Sequence, residues 1–357
     1  MRWDNLSAAP DEEGLARPTG GPPPAPHRPS APPLPLAMPD AVVRTFDTPG
    51  FAGMTFYEVR AKSIINRVPG TSRVPFEQTI NPYRGCGHAC VYCFARNTHT
   101  YLDLDAGPDF DRKVIVKVNA GELVRRELAA PKWRGAHIAM GTNVDCYQRA
   151  EGRYALMPPI IEALRDFANP FSILTKGTLL LRDLPLLRQA AEVTRIGVSY
   201  SVGFVDETLW RSVEPGTPSP RRRLDAVRTL TDAGFAVGVL MAPILPGLSD
   251  DEESIEATVA AIAAAGAASV TPLALHLRPG AREWYAHWLA REHPHLVPHY
   301  RELYRAGAYA PQAYQRELTA RVRIAARRHG LPRSSAVDDR RGSPIPARPP
   351  AEQLTLL

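Results

Sequence analysis

The feature that most constrains this chain is a group of three cysteines within eight residues, Cys86, Cys90 and Cys93, with the spacing C-x3-C-x2-C. Thiolates this close together can bind one soft metal centre, and cysteine thiolates are the usual ligands of iron–sulfur clusters. Because a [4Fe–4S] cluster has four irons, three thiolates leave one iron open to a substrate or cofactor. The spacing therefore predicts a [4Fe–4S] site held by these three residues.

Two other uses of cysteine fit the pattern less well. A structural zinc site needs four closed ligands, and the fourth here would be His88, His99 or Cys146, the remaining cysteine. A disulfide framework is typical of short secreted chains, whereas this chain has 357 residues, four cysteines and no signal-peptide pattern near Met1. We therefore favour the iron–sulfur interpretation, with zinc as the alternative.

Composition predicts a folded core with two appendages. The first forty residues hold eleven of the thirty-six prolines and no periodic apolar face, which predicts a disordered extension over 1–40. We expect a lead-in segment over 41–75, the core over 76–278, a helical extension over 279–331 and a loose basic tail over 332–357. No apolar run approaches the roughly 20 residues of a membrane span, so we expect a cytoplasmic protein.

The net charge of +6 is concentrated near the end of the chain. Between Arg316 and Arg348, nine arginines face three acidic residues. One interpretation is a basic patch that binds nucleic acid phosphates, and the other is a solvated helix and tail. No aromatic residue is interleaved with these arginines, so we favour the second interpretation.

Short apolar runs alternate along the core with segments of helical periodicity, which predicts repeated β-α-β units and a parallel sheet. The predicted strands are Phe76–Asn81, Lys113–Val118, Ala136–Gly141, Phe171–Thr175, Arg195–Tyr200, Phe235–Met241 and Ser269–Leu275. The predicted helices are Ala120–Leu128, Met157–Phe167, Leu179–Ala191, Arg221–Ala233, Asp250–Ala265, Trp284–Trp288 and Ala310–Gly330. Ser249 with Glu252 has the pattern of a capping box for the fifth helix.

The cysteine segment, with Tyr92 directly before the third cysteine, resembles the signature of the radical S-adenosylmethionine (SAM) superfamily. Several further segments are similar to its "DNA repair photolyase" branch, which is related to spore photoproduct lyase. They are Tyr57–Ile64, Ile80–Cys86, Cys90–Arg96, Thr175–Gly177, Glu214–Pro215, Arg223–Leu224 and Pro243–Gly247. Thr98–Tyr101 and Asp111–Asn119 resemble a largely uncharacterised subgroup of that branch. The resemblance implies an α/β fold with a partial (β/α)6, TIM-like barrel.

The resemblance also implies which residues bind the cofactors. Cys86, Cys90 and Cys93 would hold the cluster, whose open iron would take the amino and carboxylate groups of SAM. The implied SAM contacts follow the barrel strands, where parallel barrels place their active sites. The SAM amino group would approach Gly141 and Thr142, the carboxylate Lys176, the ribose Ser199 and Ser201, and the adenine Ala242. Tyr92 completes the implied cofactor-binding set.

The activity implied by the resemblance is reductive cleavage of SAM, followed by hydrogen abstraction from an unidentified substrate. A flavodoxin or ferredoxin would donate the electron. Two alternatives remain: repair of pyrimidine photoproducts in DNA, with nucleic acid as the substrate, and a non-catalytic iron–sulfur or redox-sensing protein. Cys146 is a candidate for returning a hydrogen atom to the substrate, as a cysteine of spore photoproduct lyases does. It could instead be a buried packing residue or a fourth cluster ligand.

Overall fold

A computed structural model describes residues 38–69, 74 and 76–331 of the chain. Residues 1–37 of the predicted disordered extension and the whole predicted tail over 332–357 lie outside the described residues. Within the described ranges, no helix is both long enough and apolar enough to cross a membrane.

The described residues form eleven strands and eleven α-helices, joined in part by short 3-10 helices. The strands are β1 (Val42–Arg44), β2 (Thr55–Val59), β3 (Ile65–Arg67), β4 (Gln78–Ile80), β5 (Tyr83–Arg84), β6 (Lys113–Lys117), β7 (Ile138–Met140), β8 (Phe171–Thr175), β9 (Ile196–Ser201), β10 (Val237–Ile244) and β11 (Ser269–Ala274). The helices are α1 (Pro108–Arg112), α2 (Ala120–Leu128), α3 (Glu151–Tyr154), α4 (Met157–Asp166), α5 (Leu184–Ala191), α6 (Glu207–Val213), α7 (Pro220–Asp232), α8 (Glu252–Ala264), α9 (Ala281–Glu292), α10 (Val297–Leu303) and α11 (Gln312–Arg328).

The main sheet has seven strands in the order β11-β10-β9-β8-β7-β4-β3. In this sheet the adjacent strands β4, β7, β8, β9, β10 and β11 are parallel to one another, and β3 pairs antiparallel with β4 at one edge. Every residue of β7 and of β9 is buried, as expected for parallel strands that are covered on both faces. The predicted partial (β/α)6 barrel is therefore confirmed, with helices between its six parallel strands.

A second, four-stranded sheet in the order β1-β2-β6-β5 was not predicted. The chain passes from β4 in the main sheet directly into β5, where Arg84 pairs with Ile115 of β6. Two residues later, the Cys86 amide donates to the Phe110 carbonyl at 2.9 Å. This second sheet thus fixes the point at which the cysteine segment begins.

Two local predictions are wrong. The segment predicted as one helix over Leu179–Ala191 starts as a 3-10 helix over Thr178–Asp183, and α5 begins only at Leu184. Pro185 explains the boundary, because proline favours the first turn of a helix. The predicted capping box at Ser249 does not form, since Asp251 caps α8 by accepting from the Ser254 amide.

The basic segment identified in the sequence lies partly on α11, which packs against α8 and β11. Two of its arginines form exposed ion pairs, Arg321 with Glu317 at 2.5 Å and Arg328 with Glu256 at 3.1 Å. These pairs neutralise part of the positive charge on the helix. Such surface pairs are worth at most about 1 kcal/mol each.

Candidate active site

A cavity of about 220 Å³ lies where the parallel strands end, at the carboxyl edge of the barrel. The cysteine segment forms one wall, and the residues that follow β7, β8 and β11 form much of the rest. The predicted site residues that line it are Cys86, Cys90, Cys93, Tyr92, Gly141, Thr142, Lys176, Ser201 and Ala242. Residues distant in sequence therefore meet at the edge where parallel barrels hold their active sites.

Two predicted site residues do not line this cavity. Ser199 is buried within β9, and Cys146 is 1% exposed in the hydrophobic core. Burial, and then the nearby Asp145 carboxylate, raises the pKa of the Cys146 thiol well above its usual value. The predicted roles of both residues in binding or catalysis stay predictions.

The three clustered cysteines are free thiols that face the same cavity. Burial is the main cause of a raised pKa in each of them, so all three thiols are protonated in the cluster-free protein at neutral pH. Among the described residues, no three histidine, cysteine or acidic side chains converge to hold one metal ion. Three soft donors along one wall suit a multi-iron cluster, because each thiolate there takes a different iron.

Gln148, which sequence reasoning missed, holds the cysteine segment in place. Its side-chain amide accepts from the Gly87 amide at 3.0 Å and donates to the Gly85 carbonyl at 2.9 Å. Gln148 is completely buried, so these bonds satisfy polar groups that water cannot reach. Gln148 therefore ties the first turn after β5 to the loop that follows β7.

Arg96 braces the other end of the cysteine segment. Its guanidinium is completely buried and donates to the Cys90 carbonyl at 3.0 Å and to both Asp111 carboxylate oxygens at 2.8 and 3.0 Å. It also stacks over Trp284, 4.8 Å from the ring centre. Because the charge is paired and bonded on several sides, Arg96 fixes the backbone between the second and third cysteines.

A buried ion network centred on Glu214 lies behind the cavity wall. The carboxylate accepts from the Tyr92 hydroxyl and from Arg223, and the Lys176 ammonium lies 3.5 Å away. Lys176 also donates to the Ser201 hydroxyl, which in turn donates to the Ala242 carbonyl at 2.7 Å. All six residues were named in the sequence, but Glu214 and Arg223 appeared there only within resembling segments and were not assigned a role.

The charge of Glu214 is stabilised by its two cations. Burial alone would raise the pKa of this completely buried carboxyl, but Arg223 and then Lys176 outweigh burial and lower the pKa to about 2. Arg223 is itself 1% exposed and donates to the Ser201 carbonyl at 2.9 Å. Glu214 is therefore ionised at neutral pH and holds Lys176 against the barrel wall.

Asp145, in the loop that follows β7, bonds to the end of β8 and to the turn that follows it. Its carboxylate accepts from the Thr175 hydroxyl at 2.6 Å and from the Lys176 amide at 2.7 Å. The His88 ring nitrogen lies 3.4 Å from the same carboxylate. Burial lowers the pKa of His88 despite this neighbour, so the imidazole is neutral at pH 7. Asp145 thus joins the cysteine segment to the turn that carries Lys176.

Two glycines of these turns permit close backbone approaches. Gly141 has a φ of 76°, and an added Cβ would lie 1.8 Å from the Leu174 carbonyl oxygen. A Cβ on Gly177 would lie 2.1 Å from the Tyr147 carbonyl oxygen. Any side chain at either position would push the β7 and β8 turns apart. The small residues noted in the sequence are therefore required by packing around the cavity.

Comparison with known proteins agrees with this arrangement. The model of the radical SAM superfamily matches residues 80–259. An uncharacterised protein of Mycobacterium tuberculosis is 52% identical over 281 residues, which cover 79% of this chain and 83% of the relative. An uncharacterised protein of Methanocaldococcus jannaschii is 30% identical over 203 residues, covering 56% and 72% of the two chains.

Solved structures of spore photoproduct lyase share the fold. One, in complex with a dinucleoside spore photoproduct, has a TM-score of 0.58 and 16% identity, covering 77% of this chain and 79% of that chain. A mutant with bound AdoMet and the same photoproduct has a TM-score of 0.57. At such low identity the likeness shows the fold alone. Together, the barrel, the three cysteines facing its cavity and the family match place this chain in the radical SAM superfamily.

Proposed function

We propose that this protein is an enzyme that cleaves SAM reductively at a [4Fe–4S] cluster and uses the product radical to abstract hydrogen from a substrate. When bound, the cluster and SAM supply one-electron cleavage of the sulfonium to methionine and a 5′-deoxyadenosyl radical. The observation that supports the proposal is that three free cysteines share one cavity with Lys176 and the polar ends of several barrel strands. A flavodoxin or ferredoxin is the proposed electron donor.

The chain's own residues would bind and orient these groups. Cys86, Cys90 and Cys93 would lose their protons and hold the cluster. The Lys176 ammonium, positioned by Glu214, would pair with the carboxylate of SAM. Thr142 and Ser201 add hydrogen-bonding groups to the same cavity.

The rest of the cavity wall is largely apolar, and this suits radical chemistry. Leu240 of β10 and Leu273, Ala274 and Leu275 at the end of β11 line the cavity. Apolar walls exclude water and leave few exposed groups that could quench a reactive intermediate. The residues would thus contribute position and protection, while the bound cofactors supply the reactivity.

The proposal is tested by anaerobic reconstitution of the cluster, reduction with dithionite and addition of SAM. We expect 5′-deoxyadenosine from the wild-type protein and none from Cys90→Ala, quantified by liquid chromatography and mass spectrometry. If the wild type makes no more than the variant does, the enzyme proposal is wrong. A reconstituted cluster without SAM cleavage would instead favour the non-catalytic iron–sulfur or redox-sensing alternative.

A second candidate function is repair of a pyrimidine photoproduct in DNA. It is favoured by the fold shared with spore photoproduct lyase, although a shared fold does not fix a substrate. The direct test is to incubate the reduced protein and SAM with a dinucleoside spore photoproduct and follow its disappearance. SAM cleavage without loss of the photoproduct would exclude this lesion and leave another substrate for the same radical chemistry.

A further inference from the structure

Four side chains form a cluster at the cavity edge, which we call the rim cluster: Phe94, His276, Arg278 and Tyr309. Phe94 and His276 line the cavity itself. The rings of His276 and Tyr309 lie 4.6 Å apart at 61°, and the two residues also form an isolated antiparallel bridge. Arg278 lies 5.3 Å from the centre of the Phe94 ring and donates to the Tyr309 hydroxyl at 3.0 Å.

Two rings of the rim cluster, those of Phe94 and Tyr309, are open to solvent. Phe94 is 42% exposed and Tyr309 is 49% exposed. Scattered exposed aromatics need no explanation, but exposed rings grouped beside a cavity are typical of a ligand-binding surface. Leu273, 38% exposed and also part of the cavity wall, extends the same apolar surface inward. The rim cluster therefore offers stacking surfaces at the entrance to the proposed active site.

Arg278 gives the rim cluster a positive charge. In the described part of the chain its guanidinium contacts a ring and a phenol, with no carboxylate in ion-pair range. Arg211, which also lies over an aromatic ring, is by contrast paired with Glu207 at 3.1 Å. An exposed guanidinium that two aromatic groups hold in place is suited to bidentate binding of a phosphate.

We propose that the rim cluster binds one nucleotide unit of the substrate, whose base stacks on Tyr309 and Phe94 while Arg278 holds the phosphate. Sites for single-stranded nucleic acids combine aromatic rings, on which the bases stack, with cations that bind the phosphates. The inference rests on the proposed function, because it takes the adjacent cavity as the place where hydrogen is abstracted. The nucleotide could be free or part of a DNA or RNA strand, since all three present a base and a phosphate.

Binding is tested with the full-length, cluster-reconstituted protein under anaerobic conditions. Fluorescence anisotropy with short labelled oligothymidylate and oligouridylate probes separates DNA from RNA, and unlabelled thymidine and uridine monophosphates serve as competitors. We expect Arg278→Gln to weaken binding about tenfold and to lower the slope of log affinity against log salt by about 1. Tyr309→Leu should weaken binding about tenfold with the salt slope unchanged.

Arg211→Gln is the matched control, because Arg211 also stacks on a ring but has its own carboxylate partner. It should bind every probe as the wild type does. The inference is overturned if no nucleotide probe binds at low salt, or if Arg278→Gln and Tyr309→Leu both bind normally. Nucleotide binding without SAM cleavage would contradict the proposed function and support the rim site. SAM cleavage without nucleotide binding would support the proposed function and contradict the rim site.

Discussion

Replacing Glu214 with glutamine tests whether the buried ion network holds the cavity wall together. The substitution keeps the shape of the side chain and removes its charge, so Arg223, which is 1% exposed, loses its ionic partner. Lys176 loses the same partner but is partly open to the cavity and can be solvated there. The loss of stability should therefore come mainly from the unpaired charge of the buried Arg223.

The stability lost in Glu214→Gln can be estimated from the cost of removing one partner of a buried ion pair and from the lowered pKa of Glu214, and the two values are similar. Breaking a buried ion pair on one side typically costs about 3–5 kcal/mol. Lowering the pKa of Glu214 from 4.5 to about 2 corresponds to about 3 kcal/mol of folding stability. Arg223 keeps its bonds to the Pro218 and Ser201 carbonyls, which favours the lower end of the range. We expect Glu214→Gln to lower the free energy of unfolding by about 3 kcal/mol at pH 7.

The pH dependence has a definite sign, because the folded-state pKa of Glu214 is lowered. Its stabilising contribution is complete above about pH 4.5, where the unfolded chain is also ionised, and disappears as pH falls towards 2. The difference between wild type and Glu214→Gln should therefore shrink between these values. This difference in the free energy of unfolding is measured by urea unfolding of the cluster-free wild type and the cluster-free Glu214→Gln protein at neutral and at acidic pH.

A control substitution is available in the same region of the chain. Glu207 pairs with Arg211 at the surface, so Glu207→Gln should cost only about 0.5 kcal/mol. A Glu214→Gln protein as stable as the Glu207→Gln protein would refute the stabilising role of the buried ion network. A stability difference from wild type that stayed constant down to pH 3 would also contradict it.

Three further predictions concern single side chains near the cavity. Lys176→Met should weaken SAM binding about tenfold or more at unchanged iron content, and equal affinity by equilibrium dialysis would contradict its proposed role. Arg96→Lys should lose the paired bonds to Asp111, reduce stability by about 2 kcal/mol in urea unfolding and lower the iron bound per chain. Cys146→Ala should retain cluster and SAM cleavage while losing about 1 kcal/mol of stability, whereas loss of iron would make it a ligand.

The barrel was predictable because buried parallel strands leave a strong local pattern. β8 was predicted with its observed bounds, Phe171–Thr175, and α2 with its observed bounds, Ala120–Leu128. One strand of the second sheet, β6, was predicted as Lys113–Val118, but the sheet was missed because two of its other strands are very short: β1 has three residues and β5 has two. Strands of this length carry no usable alternation, so their pairing depends on tertiary contacts.

Some of the residues in and around the cavity could likewise be found from the sequence, and others could not. The cysteines and Lys176 could be found because they follow a recognisable spacing or the end of a predicted strand. Glu214 belongs to a segment that resembles the family, but neither Glu214 nor Gln148 follows a ligand spacing or ends a predicted strand, so neither could be assigned a role. Their importance comes from complete burial and from partners more than sixty residues away, such as Tyr92 and Gly85.

The electrostatics of the cavity wall indicate what kind of group it is built to receive. Among the described residues that line the cavity, Lys176 is the one lysine or arginine, and Asp145 has its oxygens occupied by hydrogen-bond donors. Glu214 is shared between Arg223 and Lys176, so this buried trio carries one net positive charge. An ammonium has three donors; one reaches Ser201 and a second points towards Glu214, which leaves the third for a ligand. A carboxylate bound there would complete the hydrogen bonding of Lys176.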